Sequence, residues 1–91
     1  MTDAPATAKQ SPPSRRLDAR GLQCPLPILR TRKTLNVMAP GEELLVEATD
    51  PASVIDFKHF CNTTDNALVE CRVEDGVYYY LIRRGGDDDA A

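Results

Sequence analysis

The sequence predicts an α/β (α+β) two-layer sandwich, in which a four-stranded mixed sheet carries two helices on one face. Two segments have helical periodicity and four have strand periodicity, in the order β-α-β-α-β-β. The composition, 42% hydrophobic and 27% charged, is typical of a folded domain. A body of about 70 residues has room for one helix layer on one sheet.

The first strand and the first helix are separated by a glycine. Arg15 to Ala19 is predicted as a strand whose turn ends at Gly21, and a helix is predicted from Pro25 to about Met38. Prolines fit the first turn of a helix, where N–H groups have no intrahelical acceptor. The apolar stripe of this helix consists of Ile28, Thr31, Leu35 and Met38, and Pro40-Gly41 ends it.

A second strand and a second helix follow. Glu43 to Thr49 alternates as a strand, with Leu44, Val46 and Ala48 on one face. Asp50-Pro51 is typical of an N-cap and a first helical position, which predicts a helix to about Asn62.

The chain then predicts a hairpin. Leu68 to Glu74 and Val77 to Arg83 are the third and fourth strands, and Glu74-Asp75-Gly76 supplies the positive-φ residue of a tight turn. Both faces of the fourth strand are apolar, so periodicity does not indicate which one is buried.

The domain organisation follows from composition. Residues 1–14 are Pro-rich and have no hydrophobic period, which predicts a disordered arm, and residues 85–91 predict a disordered acidic tail. The domain itself spans residues 15–84, where ten basic and ten acidic side chains cancel. The net charge of −3 therefore gives no reason to expect direct contact with nucleic acid or an anionic membrane.

The pattern of apolar residues and cysteines predicts a cytoplasmic protein. The longest apolar run, Val77 to Ile82, is far shorter than the roughly 20 residues that span a bilayer. Residues 1–14 contain no apolar stretch typical of a secretory signal. Three cysteines do not form an even disulfide framework, so we expect reduced thiols.

Cys24 is the candidate nucleophile. It precedes the first helix in Gly21-Leu22-Gln23-Cys24-Pro25-Leu26-Pro27, which predicts an N-cap position facing the positive end of the helix dipole. Pro25 and Pro27 remove two donors, so the Leu26 N–H is expected to be free for the sulfur. With Arg20, Arg30 and Arg32 nearby in sequence, we expect an accessible thiolate with a lowered pKa. The alternative is a purely structural cap.

The other candidate residues favour structural roles. Cys71 and Cys61 are predicted to be buried hydrophobes, and His59 is predicted to lie at the surface rather than to act as a base for Cys24. The spacing excludes a zinc site, and no metal or other cofactor is expected. Arg30, Arg32 and Lys33 fit a solvated face and an acidic docking partner equally well.

The motif Leu17-Asp18-Ala19-Arg20-Gly21-Leu22-Gln23-Cys24-Pro25-Leu26-Pro27 resembles that of the TusA/SirA-type sulfur carriers, and the resemblance extends to Arg83-Arg84-Gly85-Gly86. It implies the two-layer fold and a sulfurtransferase. A cysteine desulfurase would load sulfane sulfur on Cys24 as a persulfide, and a downstream protein would accept it. It also implies docking roles for Leu29, Arg32 and Asp50.

The pathway stays open at this point. The resemblance implies tRNA 2-thiouridine synthesis, with sulfur oxidation or molybdenum-cofactor synthesis as alternatives, and Leu26 stands where the tRNA-thiolating carriers have Glu. A non-catalytic regulatory module is a further alternative, and a disulfide-based redox enzyme is a third. We expect a monomer.

Overall fold

The computed structural model describes residues 13–86, and it confirms the predicted element order and layers. The strands are β1 (Arg15–Ala19), β2 (Glu43–Ala48), β3 (Ala67–Glu74) and β4 (Val77–Arg83), and the helices are α1 (Leu26–Asn36) and α2 (Ser53–Thr63). Most of the predicted arm and tail lies outside the described residues. At the borders of the predicted domain, Ser14 Oγ accepts a hydrogen bond from the Glu43 N–H, and the Gly85 N–H donates to Asn66 Oδ1.

The sheet is mixed, with strand order β1-β2-β4-β3. β1 pairs with β2 in parallel, whereas β4 is antiparallel to both of its neighbours. Because β1 and β2 are parallel, their carboxyl ends lie at the same edge of the molecule. The loops that follow these two strands are therefore neighbours, although they are far apart in sequence.

The core lies between the sheet and the helices. Phe57 of α2 stacks on Tyr80 of β4, with the ring centroids 4.1 Å apart, and both side chains are fully buried. The Tyr80 hydroxyl and the buried Ser53 hydroxyl share a hydrogen bond of 2.7 Å. The face of β4 that carries Tyr80 and Ile82 is thus the buried one, which the periodicity left undecided.

Both helices begin later than predicted. The Leu26 N–H donates to the Gln23 carbonyl at 2.8 Å, which closes a turn ahead of α1 and makes Pro25, not Cys24, the N-cap residue. At the other end, the Met38 N–H bonds to the Leu35 carbonyl three residues back, so the predicted last turn is tighter than an α-helix. The Ser53 N–H likewise bonds to the Asp50 carbonyl, which makes residues 51–52 a turn before α2.

The prediction that Cys71 is buried was wrong. β3 is an edge strand with a register shift between Leu68 and Glu70, and Cys71 is exposed together with Val69 and Val73. Every residue of β3 except the half-buried Leu68 is exposed, so the helices do not cover this strand and its alternation of apolar residues does not correspond to burial.

The two helices of the described residues were compared with the length and apolarity that a membrane span needs. Neither α1 nor α2 is long and apolar enough to cross a bilayer.

Candidate functional site

Two loops meet at the carboxyl ends of β1 and β2 and form a shallow open depression around Cys24. Residues 21–24 line one side of it, and residues 49–51 line the other. The loops are tied together by two hydrogen bonds, one of 2.9 Å from the Gly21 N–H to Thr49 Oγ1 and one of 2.7 Å from the Cys24 N–H to Asp50 Oδ2. Gly21 has φ 83°, a left-handed conformation that glycine adopts without strain.

The Cys24 side chain is exposed, and its thiol donates a hydrogen bond to Asp56 Oδ2. Asp56 lies in the first turn of α2, so a third segment of the chain contributes to the site. Sequence reasoning missed Asp56, because it belongs to no local motif around Cys24. His59, by contrast, is exposed, in agreement with the expected surface position.

The electrostatics differ from the prediction. The hydrogen bond to Asp56 raises the pKa of the Cys24 thiol above its ordinary value, and partial desolvation and the charges of Asp56 and Asp50 raise it further. The expected lowering of this pKa was therefore wrong. In the free protein, this site favours a protonated thiol.

Three expected supports of a thiolate are used elsewhere in the structure. The N-cap position belongs to Pro25, and the Leu26 N–H is bonded to the Gln23 carbonyl. Arg20 pairs with Asp18 at 2.9 Å, and it also lies 3.7 Å from Glu47. Pro27, which was also expected near the sulfur, is a buried residue of the first turn of α1.

Asp50 holds the two loops in place. Its Oδ2 accepts from the Cys24 N–H and its Oδ1 accepts from the Ala52 N–H at 3.0 Å. These two hydrogen bonds hold the pKa of Asp50 below its ordinary value, and the bond from the Cys24 N–H has the larger effect. The carboxylate is thus a fixed negative charge at the backbone of the cysteine.

An exposed stripe runs along α1 away from Cys24. Leu26 is 45% exposed and Leu29 is 52% exposed, and three-residue spacing places both on one side of the helix. Arg32 follows with the same spacing, and its guanidinium lies 5.8 Å from the centre of the Phe60 ring. An apolar stretch with a cation at its end is a surface that a partner protein can bind.

The other thiols lie elsewhere. Cys61, which was predicted to be buried, is half-buried, and this burial raises the pKa of its thiol to about 11, which disfavours the thiolate at neutral pH. Cys71 is exposed on β3, and the sheet order puts β3 at the opposite edge from β1, about 14 Å away across three strand spacings. A disulfide requires Cα atoms within about 7 Å, so this arrangement does not favour the redox alternative. Within residues 13–86, no cluster of three metal-ligating side chains occurs.

Comparison with known proteins gives consistent matches. A family model described as "Sulfurtransferase TusA" matches residues 15–84. The sulfur carrier protein TusA of Allochromatium vinosum is 54% identical over 68 residues, which cover 75% of this chain and 90% of that protein. A crystal structure of a SirA-like protein from Desulfitobacterium hafniense matches with a TM-score of 0.69 at 25% identity, covering 78% of this chain and 97% of that one.

Proposed function

Because the chain belongs to the TusA family of sulfurtransferases, we propose that it relays sulfane sulfur as a persulfide on Cys24. The donor is a cysteine desulfurase, and the acceptor is a cysteine of a downstream protein. The observation that carries this proposal is the position of Cys24, exposed in a depression whose backbone is fixed by Asp50. We place the relay in the cytoplasm, where thiols stay reduced.

The chemistry requires two thiol exchanges and no net oxidation. The Cys24 thiolate attacks the outer sulfur of the donor persulfide, the donor S–S bond breaks, and the donor cysteine leaves as a thiolate. The proton lost by Cys24 ends on that leaving thiolate. In the second exchange the acceptor thiolate attacks the outer sulfur of the Cys24 persulfide, and Cys24 leaves and regains a proton.

Partner docking is proposed for the stripe on α1. Leu29 and Arg32 are exposed and lie on the side of α1 that leads to Cys24, which supports a docking role. Asp50 is engaged with the Cys24 N–H, so its contribution to partner binding includes holding the loop that the partner meets. The exposed Leu26 adds apolar surface close to the sulfur, which favours an acceptor that is apolar beside its own cysteine. Thiolation of tRNA, sulfur oxidation and molybdenum-cofactor synthesis each place a different acceptor there.

Mass spectrometry after incubation with a cysteine desulfurase and cysteine tests the proposal. We expect an adduct of about 32 Da, one sulfur atom, on Cys24 of the wild-type chain. Cys24→Ser loses the adduct completely, because the serine hydroxyl forms no persulfide. Cys71→Ser, which removes the other exposed thiol, retains it.

Two results would reject the relay. One is an adduct that persists in Cys24→Ser, and the other is an adduct of equal yield on Cys71. If Cys24→Ala also keeps every partner contact and the in-cell function, the protein is the non-catalytic module.

A further inference from the structure

Asp56 has no role in the relay as described so far, yet its carboxylate is the hydrogen-bond acceptor of the Cys24 thiol. It stands in the first turn of α2, and that helix is anchored to the sheet by the stacked rings of Phe57 and Tyr80. Phe57, the residue next to Asp56 in sequence, is fully buried. The position of the carboxylate is therefore set by the core and not by a mobile loop.

The charged groups that act on the Cys24 thiol are both negative. Asp56 approaches it from α2, and Asp50 approaches from the loop after β2. From the loop after β1, Arg20 is drawn away by Asp18 and Glu47. A thiol that faces two carboxylates is stable with its proton on, since a thiolate there would be repelled by both.

We propose that Asp56 is a positioning residue that holds Cys24 as a protonated, hydrogen-bonded thiol in the unbound protein. A partner protein then frees the sulfur by presenting a cationic side chain to Asp56. The consequence for sulfur transfer rests on the proposed relay, whereas the state of the thiol in the free protein does not. An ammonium or guanidinium group paired with Asp56 removes the acceptor of the thiol proton and cancels the nearest negative charge. Neutralising Asp56 in this way is expected to lower the pKa of the Cys24 thiol when a partner is bound.

The test is the rate at which iodoacetamide alkylates Cys24 as pH rises from neutral to alkaline, resolved by peptide mass spectrometry. We expect Asp56→Asn to move the Cys24 profile to lower pH and to raise the rate at neutral pH by about threefold to tenfold, because a pKa change of one unit is a tenfold change in thiolate. Asp56→Glu keeps a carboxylate at the site and stays closer to the wild-type profile.

The chain offers two controls. Asp75→Asn removes a carboxylate from the hairpin turn, at φ 51°, a conformation that Asn tolerates, and it leaves the Cys24 profile unchanged. Cys71 is an exposed thiol in the same molecule, and its rate stays constant across all variants.

An unchanged Cys24 profile in Asp56→Asn overturns the proposal. Equal acceleration at Cys24 and Cys71 does so as well, because it indicates general loosening rather than a local effect. Persulfide loading measured on the same variants separates the two proposals. A Cys24 that responds to Asp56→Asn but never loads sulfur rejects the relay and retains the role of Asp56.

Discussion

Asp50 accepts two backbone hydrogen bonds and so connects the loop of Cys24 with the turn that leads into α2. We expect Asp50→Ala to speed amide hydrogen exchange at Cys24 and Ala52 by about fivefold to tenfold, because both N–H groups lose their acceptor. Nuclear magnetic resonance measures these rates one amide at a time. The Gly21 N–H, which donates to Thr49 Oγ1 in the same pair of loops, is the internal control. Unchanged exchange at Cys24 would contradict this assignment.

The local motif identifies Cys24 and the family resemblance adds Asp50, but neither identifies Asp56. Cys24 is recognisable because it stands between a glycine turn and two prolines. Asp56 is 32 positions away, and only the packing of α2 on the sheet brings it to the sulfur. For this reason the pKa of Cys24 was expected to be lowered, whereas the structure raises it. The expectation considered the charged residues near Cys24 in sequence and not those near it in space.

At the scale of the element, α2 positions the site through its buried face. Phe57 is fully buried against Tyr80, and Phe57→Ala is expected to lower the free energy of unfolding by about 3–5 kcal/mol. Ile55→Ala is the matched control. Its side chain is 74% exposed on the same helix, so the expected change is within about 0.5 kcal/mol. Urea denaturation measures both, and similar losses for the two variants would contradict the packing described here.

The bounds of the strands follow from sequence more closely than those of the helices. The bounds of β1 and β4 agree with the predicted ones, because the turn residues that follow β1 and precede β4 limit these strands in the sequence. The starts of α1 and α2 depend on which N–H group closes the preceding turn, and that choice is made by contacts with other segments. For β3, the alternation gave the strand but not its place at the edge, so the exposure of Cys71 did not follow from it.

At the scale of the whole molecule, the shifted pKa values predict a stability optimum between acid and alkaline limits. Hydrogen bonds from Arg20 lower the pKa of Asp18 from 3.8 to about 2, so this contribution is present above pH 3.8 and is lost as pH falls toward about 2. Burial raises the pKa of Cys61 from 9.0 to about 11 and that of Tyr80 from 10.0 to about 12. The folded state keeps these protons longer than the unfolded state does, so stability falls as pH rises through these ranges.

Urea midpoints measured across pH check both limits. Asp18→Asn is expected to flatten the acid limb, and Cys61→Ser is expected to flatten the first part of the alkaline limb. An alkaline limb of unchanged slope in Cys61→Ser would contradict the burial of that thiol.

Three segments of the chain meet at Cys24, so the environment of its thiol is complete only when all three are folded together. Asp50 and Asp56 lie 26 and 32 residues further along the chain than Cys24. During synthesis, the Cys24 thiol is therefore without its hydrogen bond to Asp56 until α2 docks on the sheet. Each transient undocking of α2 breaks the hydrogen bond between the Cys24 thiol and Asp56 again. If Asp56 holds the thiol protonated as proposed, oxidation of Cys24 is expected to be faster in states with α2 undocked, although the sulfur lies at the surface in the folded protein as well.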